Sequence, residues 1–256
     1  MHDCPGGQTG DNIDNGFGYP WLFVSEPSQK QFCDIGKTIV QHYKDEPVIL
    51  GYELMNEPIA TMFSKELQQE LNGKLEGVYK RATKAIREED QNHIILLGGA
   101  PWNGNFEPFT DWKFDDKIMY TGHRYGGEPT KEAIKGIIDF RDKTKLPMYM
   151  GEIGHNTDKW QTDFCETMRK ANIGYTFWPY KKIDGSCFMG IKQPEGWQET
   201  IVKFAEADRS SFDAIRKARP DQVLGKKLLM QFVENAKKVN CVPQTSYIKS
   251  MGLKAE

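Results

Sequence analysis

The chain alternates short apolar runs with longer stretches in which apolar residues recur every three or four positions. From about Ser28 to Tyr43, the residues Phe32, Ile35, Ile39 and Val40 fall at helical spacing. A short apolar run, Val48 to Leu54, follows, then a helical stretch from about Lys65 to Glu89. His93 to Leu97 is the next apolar run, and an irregular segment rich in Trp and Phe comes after it. Ile118 to Thr121, Met148 to Met150 and Tyr175 to Trp178 are further runs. Helices are predicted around Lys131 to Thr144 and Thr157 to Ala171, and helical pieces over most of Trp197 to Lys238. The first 20 residues, rich in Gly, Asn and Asp, predict a loop. No Gly-Lys-Ser/Thr follows, so it is not a phosphate loop.

Short apolar strands alternating with helices predict βαβ units and a parallel sheet, whose strands are buried on both faces. Five strands are visible. A doubly wound sheet and a (β/α)8 barrel both fit this pattern. No repeat, low-complexity tract or linker interrupts the chain, so one domain over residues 1–256 is expected.

Composition narrows the function. The 256 residues carry 34 basic and 36 acidic side chains. So balanced a chain has no electrostatic reason to seek nucleic acid or an anionic membrane. No apolar run approaches the ~20 residues of a transmembrane helix. MHDCPGGQTG at the start has neither the basic residues nor the apolar stretch of a signal peptide. Cys4, Cys33, Cys165, Cys187 and Cys241 form no CxxC pair and no zinc spacing, and buried free thiols are expected. Six Trp and ten Tyr suit either a large core or a surface that stacks sugar rings.

Chemistry gathers at the ends of the predicted strands, where parallel α/β barrels place catalytic groups. The first strand runs into Asn56 and Glu57, the second towards Trp102 and Asn103, and the third into His123, Arg124 and Tyr125. The fourth reaches Glu152 and the fifth Trp178. Glu57 and Glu152 are three strands apart, which in a closed barrel sets them facing across the mouth. Two facing carboxylates are what glycoside hydrolysis needs: one protonates the leaving oxygen and the other attacks the anomeric carbon or activates water. In this reading Asn56 bonds the sugar 2-hydroxyl and Tyr125 holds the nucleophile. His123 binds sugar hydroxyls or tunes the acid, and Trp178 is a stacking floor. Each Glu alone reads equally as a solvated loop residue, and His123 or Tyr125 alone as a satisfied core residue. Zinc held by His2, His123 and His155 is a competing assignment without ligand spacing to support it.

LMNEP at Leu54 to Pro58, HRY at His123 to Tyr125, YMGEIG at Tyr149 to Gly154 and TFWPY at Thr176 to Tyr180 resemble glycoside hydrolase family 5. The resemblance implies a (β/α)8 barrel and a retaining mechanism. Glu57 matches the acid/base ending strand 4 and Glu152 the nucleophile ending strand 7. His123 and Tyr125 match the strand 6 pair, and Trp178 the strand 8 tryptophan. HDCPGGQTG at His2 to Gly10 is similar to the segment after strand 3, with His2 as the histidine ending that strand. Strands 1, 2 and most of 3, and the strand 2 arginine, have no counterpart here.

The expected fold is therefore α/β, an incomplete (β/α)8 TIM-barrel type with about five parallel strands and a C-terminal helical extension. Self-association through the open edge is expected. The implied activity is endo-acting, retaining hydrolysis of β-1,4-glucan, as polysaccharide or oligosaccharide. It needs no cofactor or metal and is expected outside the cytoplasm, extracellular or periplasmic. Action on mannan, xylan or xyloglucan is the alternative within the family. A carbohydrate-binding fragment with little or no activity is the alternative outside it. Trp21, Trp102 and Trp112 are candidates for sugar subsites or for core packing.

Overall fold

A computed structural model describes residues 1–11, 18–183 and 185–254, so part of the expected N-terminal loop, 12–17, lies outside the described residues. Packing divides the chain into two compact units: Met1–Ile153 with Glu166–Thr176, and Gly154–Cys165 with Phe177–Glu256.

The first unit is built on α1 (Glu26–Tyr43), β1 (Gly51–Glu53), α2 (Lys65–Arg87), β2 (Ile94–Gly98), β3 (Ile118–Arg124) and α3 (Lys135–Thr144). Into it also run parts of β4 (Met148–Gly154), α4 (Asp158–Lys170) and β5 (Gly174–Trp178). The sheet has the order β1-β2-β3-β4-β5. Neighbours from β1 to β4 pair in parallel, with Gly51 opposite Ile94, Ile95 opposite Ile118 and Tyr120 opposite Met148. This is the parallel α/β sheet that the pattern predicts, in the incomplete (β/α)8 form that the family resemblance implies.

Local chemistry sets the helices. Ser25 caps α1 by accepting from the Ser28 N–H at 3.3 Å, with Pro27 in the first turn. Ser64 caps α2 the same way through the Leu67 N–H. Leu71, Leu75, Tyr79 and Ile86 make the buried face of α2, and Ile95 and Leu97 of β2 are also fully buried. Tyr79 donates to the Gly98 carbonyl at 3.0 Å, so its one polar atom is satisfied at the strand end. The irregular segment after β2 sends Phe106 and Phe109 into the core, where Phe109 meets Tyr120 edge-on at 4.9 Å.

The strands differ from the apolar runs that announced them. The run Val48–Leu54 yields only Gly51–Glu53 as strand, and Val48 is 84% exposed. β1 and β5 stand at the two ends of the sheet order, so among the described residues each pairs with a strand on one side only. Their burial is accordingly partial, not the burial on both faces expected of every strand. Beside β1 the Met1 ammonium donates to the Leu54 carbonyl at 3.1 Å, and the Asn56 N–H donates to the Met1 carbonyl at 2.8 Å, the bonding of a parallel ladder. β3 and β4 run longer than predicted, which takes His123 and Glu152 into the strands themselves.

The second unit holds π-helical residues Gln198–Val202, then α5 (Lys203–Ala205), α6 (Phe212–Ala218), α7 (Gln222–Asn235) and α8 (Thr245–Ser250). It also contains a small sheet that periodicity did not reveal: β6 (Lys181–Lys182), β7 (Met189–Gly190) and β8 (Val242–Pro243), in that order. Met189, Ile191 and Cys241 form its small core, with Phe188 and Phe232 packed on them. All five cysteines of the chain are buried.

The apolar stripe of α2 makes a direct forecast. Leu75→Ala should lower the unfolding free energy by about 2–5 kcal/mol, whereas Val48→Ala should change it by less than about 0.5 kcal/mol. Urea denaturation of the two variants beside the parent checks the contrast.

Candidate active site

Glu53, Glu57, Asn103, His123, Tyr125 and Glu152 of the first unit meet at the C-terminal ends of β1 to β4. Glu57 follows β1 with φ at 41°, in the left-handed region that non-glycine residues rarely occupy. The surrounding backbone fixes it there. Asn56 is pinned by Met1, the Ile59 N–H donates to the Gln8 carbonyl at 2.8 Å, and the Ala60 N–H donates to the Thr9 carbonyl at 2.9 Å. Gln8 is fully buried. Its side-chain amide donates to the carbonyls of His2 and Asn56 at 2.8 and 3.0 Å, and its Oε1 accepts from the Cys4 N–H. One glutamine thus ties the N-terminal loop to the segment that presents Glu57. Nothing in the sequence pattern marked it.

His123 lies in β3 with its side chain only 2% exposed. Between Gly122 and His123 the register with β4 slips: Gly122 faces Met150, but His123 faces Glu152. Gly151 is the extra residue of this bulge. Side chains alternate along a strand, so a regular register would have placed Gly151 opposite the histidine. A β-carbon on Gly151 would sit 2.5 Å from Thr121 Oγ1 and 3.3 Å from His123 Nε2, so a side chain there would clash with the threonine and crowd the ring. At Gly98, ending β2, a β-carbon would lie 2.0 Å from Asn103 Oδ1, which admits the Asn103 side chain.

The imidazole joins the cluster. His123 Nδ1 is 2.9 Å from Glu57 Oε1 and 3.5 Å from Glu152 Oε2. Its Nε2 is 3.0 Å from the Asn103 amide and 3.7 Å from Glu53 Oε1. Tyr125 donates its hydroxyl to Glu152 Oε2, and His2 Nε2 lies 3.7 Å from Glu152 Oε1. Burial alone would push the imidazole down. Glu53, Glu57 and Glu152 outweigh it, and the His123 pKa is pushed up to about 9.

One oxygen of Glu57, one nitrogen of His123 and one oxygen of Glu152 all lie within 4.8 Å of one another. This is the one grouping with metal-ligand proximity among the described residues, and it is not the three-histidine set considered from the sequence. Asn56 is buried beside Glu57. Trp178 belongs to the second unit; it is 44% exposed, and its carbonyl accepts from the Tyr247 hydroxyl at 3.1 Å. Of the expected subsite tryptophans, Trp102 adjoins the Glu57 segment, its N–H donating to the Pro58 carbonyl at 3.2 Å. Trp112 packs under the Lys143 ammonium, and the Trp21 ring lies tilted against Tyr19. Glu53 and Asn103 carried no role in the strand-end reading. The signal for Glu53 was an acidic residue inside an otherwise apolar strand.

Residues 18–183 match the model of the family described as Cellulase (glycosyl hydrolase family 5). The chain belongs to glycosyl hydrolase family 5. Among its relatives, endoglucanase C of Acetivibrio thermocellus is 24% identical, over 76% of this chain and 70% of that protein. A β-xylosidase of Phanerodontia chrysosporium is 29% identical over 84% of this chain and 51% of its own length. An endoglycoceramidase of Hydra vulgaris is 31% identical over 60% of this chain and 33% of its own. In structure, the Thermotoga maritima endoglucanase Cel5A superposes with a TM-score of 0.53 at 20% identity, covering 78% of this chain and 69% of that one. At that identity the likeness is one of fold. The order of site residues along the strands stands apart from it, because it comes from this chain alone.

The raised His123 pKa has a consequence for stability. Between about 6.5, its ordinary value, and about 9, the folded chain holds a proton that the unfolded chain has lost. Stability from this site is therefore full below pH 6.5 and is lost as pH rises through 9, by at most about 3 kcal/mol. Urea denaturation at pH 6 and pH 9.5 should show that fall in the parent and a much smaller one in His123→Asn.

Proposed function

We propose that the chain is a retaining, endo-acting glycoside hydrolase of β-1,4-glucan, with Glu152 as nucleophile and Glu57 as acid/base. The observation that carries the reading is the approach of a Glu57 oxygen and a Glu152 oxygen to within 4.8 Å. Retaining enzymes hold their carboxyl groups ~5–5.5 Å apart, and inverting ones leave ~6.5–9.5 Å for a water.

In the first step a Glu152 oxygen bonds to the anomeric carbon as the bond to the leaving oxygen breaks, and Glu57 gives that oxygen its proton. In the second, Glu57 takes a proton from water, the hydroxide bonds to the anomeric carbon, and Glu152 is released. The Tyr125 hydroxyl orients the attacking carboxylate. His123, cationic across the neutral range, faces the single negative charge of the pair, which sits on Glu152 before the first step and on Glu57 after it. Asn56 is the hydrogen-bonding partner for the sugar 2-hydroxyl, His2 a further sugar contact, and Trp178 the stacking surface. These three roles rest on the family motifs.

Glucan is favoured because endoglucanases recur among both relatives and solved structures. The Thermotoga enzyme was also solved with mannotriose, and the other relatives include a β-xylosidase and an endoglycoceramidase. Carboxymethyl cellulose, mannan, xylan and a glycosylceramide are therefore the panel to assay. The expected result is cleavage of the first, with Glu152→Gln at background and Glu57→Gln slowed by roughly 10²–10⁴-fold. Proton NMR of the earliest product should show the β-anomer. An α-anomer first would overturn the nucleophile assignment.

A further inference from the structure

Glu53 ends β1 four residues before Glu57 and lies on the far side of the histidine from the reacting pair. His123 turns one ring nitrogen to each group. Nδ1 meets Glu57 and Glu152, while Nε2 meets the Asn103 amide at 3.0 Å and the Glu53 carboxylate at 3.7 Å. The Asn103 amide also lies 3.4 Å from Glu53 Oε1, so Glu53, Asn103 and Nε2 form one contiguous group. Glu53 Oε2 lies 3.4 Å from where a β-carbon on Gly151 would stand, so this third carboxylate borders the bulge that aligns Glu152 with His123.

We propose that Glu53 is a positioning residue that acts through His123: from the Nε2 side it holds the ring charged and oriented, so that Nδ1–H remains donated to the Glu57–Glu152 pair. The proposal rests on the glycosidase reading for its effect on turnover, but not for its effect on the ring.

The charge balance around the ring decides the matter. The titratable groups facing it are Glu53 from β1, Glu57 from the segment after β1, and Glu152 from β4; Asn103, after β2, is the neutral partner. Desolvation opposes the cation, and the carboxylates favour it. Glu57 and Glu152 exchange protons and bonds with substrate during turnover, so the favour they give varies through the cycle. Glu53 takes no part in those exchanges, and its charge is the constant one. Beside Nε2 the Asn103 side chain can serve either state of the ring: its Oδ1, buried without a hydrogen-bond partner, accepts from Nε2–H once the amide turns. Removing the Glu53 charge favours the neutral ring.

The test is the pH titration of the His123 ring by nitrogen-15 NMR in the parent, Glu53→Gln and Glu53→Asp, beside the pH profile of kcat/KM. The signal is assigned by its loss in His123→Asn. Glu53→Gln should lower the ring's midpoint by about one pH unit or more. The alkaline limb of kcat/KM should fall with it, and Glu53→Asp should restore both in large part. A midpoint unmoved in folded Glu53→Gln would overturn the proposal. So would a loss of activity uniform across pH, which is what a merely structural role gives. If no substrate is cleaved by the parent, the glycosidase reading fails, yet the ring titration still decides the role of Glu53.

Discussion

A buried imidazole placed between carboxylates is the constraint on which this site depends. Two acids brought within 4.8 Å repel each other, and burial strengthens that repulsion. A cation in contact with both offsets it, and His123 is held as one by its surroundings. Its placement in turn depends on a single register slip. The bulge at Gly151 turns Glu152 to the same side as His123, and the missing β-carbon there admits the ring. The chemistry at this end of the sheet is thus specified by backbone geometry as much as by the identity of the acids.

The same end is secured from outside the sheet. Glu57 occupies a backbone conformation that costs a non-glycine residue of order 1 kcal/mol or more. It persists because its flanks are bonded to Met1, Gln8 and Thr9. The Gly-rich opening segment is therefore a structural part of the site, and buried Gln8 is its fastener. This is how a chain with five parallel strands still presents an ordered acid at the first of them.

Much of this was legible in sequence. Short apolar runs alternating with helical stretches gave the parallel sheet, and the residues after each run gave Glu57, His123, Tyr125 and Glu152 as one group. The family match then agreed with the motifs. What stayed hidden depends on contacts between distant residues. A bulge leaves no mark on periodicity, so the pairing of Glu152 with His123 could not be read. Gln8 looks like any polar loop residue until its three partners are known. Glu53 was visible as an acid in the apolar strand GYELM, yet its meaning required knowing that His123 stands beside it. The two-residue strands of the second unit are too short for alternation to show, and the run Val48–Leu54 overstated a strand that has a neighbour on one side only.

With Glu152 as nucleophile and Glu57 as proton donor, the sugar passes through an ester on Glu152. Incubation with a 2-deoxy-2-fluoro glycoside carrying an activated leaving group, followed by proteolysis and mass spectrometry, tests it most directly. One equivalent of sugar should be esterified to the peptide at Glu152 in the parent and absent in Glu152→Gln. A label on Glu57, or turnover of activated substrates without any labelled peptide, would contradict it.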